Sequence, residues 1–274
     1  MPSNNPAFGR GFARSGMGQQ STGWSAQPQP YGAPAYGAPT QYDPYAAPSP
    51  YGTTATRYMT MDDVVTKTGL SFLVTVIAAA AIWALPGYSA VGLALPAALI
   101  GMVLGLVISF KQIANPAATL AYAAVEGVFL GGISEVFDLR WPGIVMQAVI
   151  GTFGVFAGML VVYKTGAIRV TPKFTRWLMG ALIGVLVLMV VNGLAYLVHP
   201  GGLGLRTGGP LAIVFSLVVI GVAAFSLLLD FDMADEAIRR GAPAKFAWYI
   251  AFGLLVTVVW LYLEILRLLS YLRD

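Results

Sequence analysis

PLAIVFSLVVIGVAAFSLLLDF, residues 210–231, holds a single ionisable group in its whole length, Asp230. Twenty-two residues of α-helix reach about 33 Å at 1.5 Å per residue, enough to cross the roughly 30 Å hydrocarbon core of a bilayer. Similar stretches lie at about 69–86, 91–110, 117–137, 143–163, 177–198 and 247–270, and Gly/Pro punctuation such as Pro86-Gly87, Asn115-Pro116, Pro142-Gly143 and Pro200-Gly201-Gly202 separates them. Only 10% of the chain is charged, against about 25% in soluble domains. Backbone groups in lipid must be satisfied within the segment, so each stretch is expected to be a helix. The expected fold is an all-α membrane protein with seven spans.

Residues 1–58 are a different material. YGAP at 31–34 recurs at 36–39, and Tyr45 and Tyr51 continue the theme among Pro, Gln, Ser and Ala. Such a segment lacks the aliphatic residues for a core and is expected to be a disordered cytoplasmic tail. No apolar stretch follows Arg10 and Arg14 in the manner of a signal peptide, so the tail is expected to stay on the protein. Thr60-Met61-Asp62-Asp63 has the form of a capping box, and the membrane domain is placed at 59–274.

Basic residues in the short loops predict the orientation. With the tail inside, the inner loops hold Lys111, Lys164, Arg169, Lys173, Arg176, Arg239, Arg240 and Lys245, and the outer loops hold Arg140 and Arg206. The expectation is a multi-pass protein of the plasma membrane, amino terminus cytoplasmic and carboxyl terminus outside. The net charge of +4 is then topology, and no nucleic-acid partner is implied.

The chain has no Cys and one His, so thiolate chemistry, Cys-ligated metals and bis-imidazole sites are excluded. His199 sits in a predicted loop. Asn115-Pro116-Ala117 matches the water-channel tripeptide but occurs once, and Ser134 has no base within the predicted helices. The last span lacks a deep Lys for retinal, and the Gly-rich 201–209 stretch lacks a phosphate-loop ending. No enzyme activity, cofactor or firmly assigned metal site is expected. Gly101 with Gly105, and Gly127 with Gly131, are small-xxx-small pairs that let helices approach closely.

The carboxylates at membrane depth are the functional candidates, because an ionised group in hydrocarbon costs at least about 2.5 kcal/mol. They are Glu126, Asp230, Asp232 and Glu264. Asp235/Arg239 and Glu236/Arg240 read as solvated i,i+4 ion pairs. Asp230 and Asp232 lie about 200° apart on a helix, so at most one points squarely into the bundle. Glu126 is near the middle of the third span, and Glu264 has Arg267 one turn away. For both, a structural bond and an ion or proton role are open readings.

FSLLLDFD at 225–232, LYLEIL at 261–266 and EGVFLGGIS at 126–134 resemble the sixth-, seventh- and third-helix signatures of the Bax inhibitor-like membrane proteins, bacterial branch. The resemblance is placed on 60–274. It implies a seven-helix bundle whose last helix is central, and a pH-sensitive calcium leak in which two acidic residues of the sixth and seventh helices share a proton. Carried over, the pair is Asp232, or Asp230, with Glu264, and Lys111 takes the place of a basic residue that helps hold the closed state. Three departures stand out: Glu264 replaces Asp, Lys111 replaces Arg, and the interval between the pair is longer. A seventh helix starting near Lys245 would carry Glu264 about 28 Å along its axis. An interruption after Lys245, or a start nearer Gly253, would return it toward Asp232; otherwise Glu126 is the better depth match. The leading expectation is a cation leak with Ca²⁺ or H⁺ as the ion and the bilayer as its partner. The alternative is a non-transporting scaffold that binds another membrane protein.

Overall fold

The computed structural model describes residues 57–84 and 89–273. The tail prediction for residues 1–58 therefore falls almost wholly outside the described residues. Among the described residues, seven helices are long and apolar enough to cross a membrane: α1 Met61–Trp83, α2 Ser89–Lys111, α3 Pro116–Arg140, α4 Ile144–Thr165, α5 Pro172–Tyr196, α6 Pro210–Arg239 and α7 Ala247–Tyr271. The described residues contain no strand, only an isolated bridge between Tyr58 and Pro243.

The ends of the helices follow from local chemistry. At α1 the capping box forms: Thr60 Oγ1 accepts from the Asp63 N–H at 3.3 Å, and Asp63 Oδ2 accepts from the Thr60 N–H at 3.1 Å. Asn115 Oδ1 accepts from the Ala117 N–H at 2.8 Å, and Pro116 fills the first position of α3, where a missing N–H costs nothing. Pro172 and Pro210 open α5 and α6 in the same way.

Helix α7 is the axis of the bundle. Of its membrane-length window 67% is buried, against 17% in α1 and in α5, and it packs on α1, α3, α4 and α6. Ala247, Ile250, Leu254, Val258 and Leu261 meet α4 and α6, while Phe252, Leu255 and Val259 meet Ile108 of α2 and Tyr122 and Ala123 of α3. Lipid is as apolar as these side chains, so the association rests on close van der Waals contact more than on water release. The contact between α1 and α3 is built that way. Gly127 and Gly131 lie against the Thr75 and Ala79 carbonyls, and Thr75 Oγ1 donates to Ala123 O at 3.1 Å.

An odd number of crossings puts the two ends of the domain on opposite faces. At one face Met59 N donates to Ala242 O and Ala244 N to Arg57 O, each at 2.8 Å, so a short segment before α1 straps the α6–α7 loop. Its pairing takes in Arg57 and Tyr58, two residues that the expected tail boundary at 58 excludes from the membrane domain. Asp63 holds Arg57 at 3.1 Å and Lys67 at 3.6 Å, and Lys67 Nζ donates to Ala244 O at 2.6 Å. Asp63→Ala is expected to loosen this strap; faster hydrogen exchange at the Met59 and Asp63 amides checks it, and unchanged exchange would show that the strap does not depend on the cap. At the other face Arg273 donates to Pro142 O at 3.0 Å and to Gln147 Oε1 at 2.9 Å.

Candidate functional site

Among the described residues Glu264 is the least exposed carboxylate, 2% exposed, on the inward side of α7. A single 3-10 turn, Ala244–Phe246, precedes α7, which then runs unbroken from Ala247. The interruption that would have returned Glu264 toward Asp232 does not occur. Glu264 lies about 25 Å along the helix, toward the face that carries the α5–α6 loop.

Its partners there are basic. Arg206, from the loop, donates through Nη2 to Oε1 at 3.0 Å and through Nη1 to Oε2 at 3.4 Å. Arg267, one turn along α7, donates through Nη1 to Oε1 at 2.8 Å. The local pair with Arg267 is the one its spacing predicts. In the sequence Arg206 stands out only as an outer-loop charge, and its place opposite the end of the last span is the signal that points to Glu264. One carboxylate between two guanidiniums leaves a net charge of +1 in a largely buried setting. The Arg206 group also sits 5.6 Å from the centre of the Phe215 ring.

The expected Asp232–Glu264 pair is not what holds either residue. The phase difference along α6 separates Asp230 from Asp232, and Asp230 is the one that meets α7. Thr257 Oγ1 donates to Asp230 Oδ2 at 2.6 Å, and Oδ1 lies beside Gly253. Asp232 turns to the α5 side, where it lines a groove of about 580 Å³ with Thr175, Met179, Glu236 and Arg240. The ranking of Asp232 over Asp230 is thus reversed for contact with the central helix. Thr257 precedes Glu264 by two helical turns, about 10 Å, so Asp230 and Glu264 form separate stations along α7 and share no hydrogen bond.

Asp230 opens on a cavity of about 210 Å³ lined also by Ser109 of α2, Met233 of α6 and Tyr249, Gly253 and Thr257 of α7. Its walls mix the Asp230 carboxylate and the residues Ser109 and Thr257 with apolar side chains, a lining polar enough to hold water. Between the two stations the Ser134 and Tyr262 hydroxyls share a buried hydrogen bond of 2.6 Å.

Glu126 belongs to a different contact. Tyr122 Oη donates to its Oε1 at 3.1 Å, and Oε2 lies against Gly101 of α2, so it faces α2 and is not the partner of Glu264. Tyr122 in turn packs edge-on against Phe252 of α7, with ring centres 4.9 Å apart. Lys111 is exposed at the end of α2 and makes no ion pair with Asp230, Asp232 or Glu264. The basic groups that hold the α7 carboxylate are Arg206 and Arg267 instead. The ladder at the end of α6 forms as predicted, Arg239 to Asp235 at 3.6 Å and Arg240 to Glu236 at 2.7 Å. Among the described residues, no group of three or more His, Cys, Asp or Glu side chains could hold a metal ion.

Carboxylates beside a central seventh helix, and the third-, sixth- and seventh-helix signatures in order, agree with a family model described as Bax inhibitor 1 like, which matches residues 5–274. The chain belongs to the Bax inhibitor 1 like family. The match reaches further toward the amino terminus than the resemblance placed on 60–274. A comparison with curated proteins found no match. Family membership and the seven apolar helices together make this a multi-pass membrane protein.

Proposed function

We propose that this Bax inhibitor-like protein is a cation leak of a bacterial plasma membrane, with Ca²⁺ as its cargo, closed when Glu264 is ionised and opened when it is protonated. The observation that carries the reading is the pair of stations on the central helix, Glu264 clamped by Arg206 and Arg267 and Asp230 held by Thr257 at a cavity. Hard cations take oxygen ligands, and Asp230, with Ser109 and Thr257 also lining its cavity, is the carboxylate that offers them. In this reading the chain is a conduit and does no covalent chemistry. The amino terminus is cytoplasmic, which puts the Asp230 cavity on the inner half and the Glu264 clamp on the outer half.

The sign of the pH response follows from the clamp. Ionised Glu264 holds two guanidiniums. A proton on Glu264 removes its attraction for them, so flux is expected to rise as pH falls. Purified protein in liposomes with an internal Ca²⁺ indicator tests this. Flux indistinguishable from protein-free liposomes at every pH would overturn the leak and leave the scaffold reading.

The two aspartates provide a sharper prediction. Asp230→Asn keeps the shape of the cavity but removes its charge, and is expected to lower Ca²⁺ flux roughly tenfold, the equivalent of about 1.4 kcal/mol. Asp232→Asn, on the α5 side, is expected to leave flux close to wild type. The reverse ranking would return the pathway to the α5–α6 groove.

A further inference from the structure

Three of the carboxylates at membrane depth have partners within the domain: Glu126 has Tyr122, Asp230 has Thr257 and Glu264 has its two arginines. Asp232 is different. It is half-buried and, among the described residues, has neither a hydrogen-bond nor an ion-pair partner; the charges it senses on α6 are Asp235, Glu236 and Arg239. A carboxylate left unpaired near the end of a span is costly unless something outside the chain meets it. Spacings of three and four residues put Leu229, Asp232, Met233, Glu236 and Arg240 on one side of α6, and all five line the groove of about 580 Å³ on the α5 side.

The groove lies at the face that carries the strap, and Pro243 of the strapped loop is part of its wall. Leu229 and Met179 line it within the span, and Asp232, Glu236 and Arg240 line it toward the end of α6. A neighbouring hollow of about 390 Å³ shares Thr175 and Asp232 with it and adds Arg176 of α5. Arg176 donates through Nε to Pro172 O at 3.1 Å, which leaves its two terminal nitrogens for another acceptor. Phe174 and Trp177 of α5 pack on Phe225 of α6, with ring centres 5.9 and 6.1 Å apart, so the two helices are held together beside the groove. Its volume falls within the about 300–1,000 Å³ of ligand clefts.

We propose that the α5–α6 groove binds an aminophospholipid, one whose head carries a phosphate and a primary ammonium. Asp232 and Glu236 accept from the ammonium, Arg176 and Arg240 donate to the phosphate, and an acyl chain lies along Met179 and Leu229. Charge complementarity selects this occupant. A head with a phosphate alone would bring its negative charge against Asp232 and Glu236, whereas Glu236 and Arg240, already paired at 2.7 Å, present both signs to a head that carries both. The apolar wall within the span requires a chain as well as a head. The inference goes beyond the leak reading, because Asp230 meets α7 and Asp232 does not.

Native mass spectrometry of the full chain, stripped of lipid in detergent and titrated with dioleoyl lipids, tests the site. Wild-type protein is expected to bind one dioleoylphosphatidylethanolamine roughly tenfold more tightly than dioleoylphosphatidylglycerol, the ratio that one charge-assisted hydrogen bond supplies. Dioleoylphosphatidylcholine, whose quaternary ammonium has no N–H to donate, should also bind more weakly. Asp232→Asn should abolish the preference and bind the three lipids alike. Asp62→Asn removes the same charge from an exposed position at the start of α1, on the same face, and should keep the preference. Met179→Trp, at a side chain 48% exposed on α5, narrows the apolar wall and should weaken all three lipids. Equal binding of the three by wild type, tighter phosphatidylglycerol, or a wild-type preference in Asp232→Asn would each overturn the proposal. Binding of none would overturn it too and leave the groove to a helix of another protein. Should Asp232→Asn fail to give a monodisperse protein, Met179→Trp decides, and wild-type affinities in that variant would overturn the site.

Discussion

Gly127→Leu is expected to unfold the domain at markedly lower denaturant or temperature than wild type, with a loss of about 3 kcal/mol, the upper range for forcing extra volume into a packed contact. A Cβ at this position would meet the Thr75 carbonyl oxygen and stand 2.7 Å from the Ala78 Cβ. The obstacle is the backbone of α1, which cannot rotate away as a side chain would. Helix α1 would have to move off α3, and the 3.1 Å bond from Thr75 Oγ1 to Ala123 O would go with it. Nothing in lipid would draw the separated helices back, because the surrounding chains solvate them equally well. Gly158 on α4 is the matched control, with no atom within 4 Å of an added Cβ. Gly158→Leu is expected to stay within about 0.5 kcal/mol of wild type. Unfolding in detergent micelles compares the two, and equal midpoints would show that the close approach of α1 and α3 contributes nothing.

The contrast between these two glycines also shows what a sequence can carry. Spacing marks Gly127 and Gly131 as a possible interface, and the structure supplies the partner, the α1 carbonyls at Thr75 and Ala79. Helix ends were legible because their causes are local: Thr60 with Asp63, Asn115 before Pro116, and glycine at 143, where φ is 80°. The end of α6 was less so. Its apolar stretch stops near Phe231, but the helix continues to Arg239 because the ion pairs of Asp235 and Glu236 keep a solvated helix in place.

The candidate site divides along the same line. Arg267 could be paired with Glu264 from a separation of three residues, and Glu126 with Tyr122 could have been from four. Arg206 is 58 residues away and meets Glu264 only because the α5–α6 loop folds inward. For Asp230 and Asp232, helical phase establishes that they face apart, but the rotation of α6 against α7 decides which one Thr257 meets. Lys67, which reaches the carbonyl of Ala244 177 residues further along the chain, gave no signal beyond being a lysine at the start of a span.

Glu264→Gln is expected to destabilise the domain by about 3 kcal/mol and to flatten the pH response of the leak. The loss follows from the charges left behind. With Glu264 neutral, Arg206 and Arg267 face each other across a site where the carboxylate was 2% exposed, and removing one member of a buried ionic group costs about 3–5 kcal/mol in such settings. The amide also places an N–H₂ where only donors point at it. Arg206 and Arg267 keep partial access to solvent, which sets the expectation at the low end of that range. A double variant separates this electrostatic cause from a packing defect: adding Arg206→Met to Glu264→Gln should recover stability, because one of the stranded cations is gone. If the loss came from packing, the two substitutions would simply add. For flux, a glutamine cannot gain or lose the proton that releases the clamp, so its Ca²⁺ leak should stay the same across the range in which the wild type changes. A wild-type pH profile in Glu264→Gln would remove Glu264 as the sensor, while a flat profile at a raised level would fit a clamp whose holding charge has been taken away.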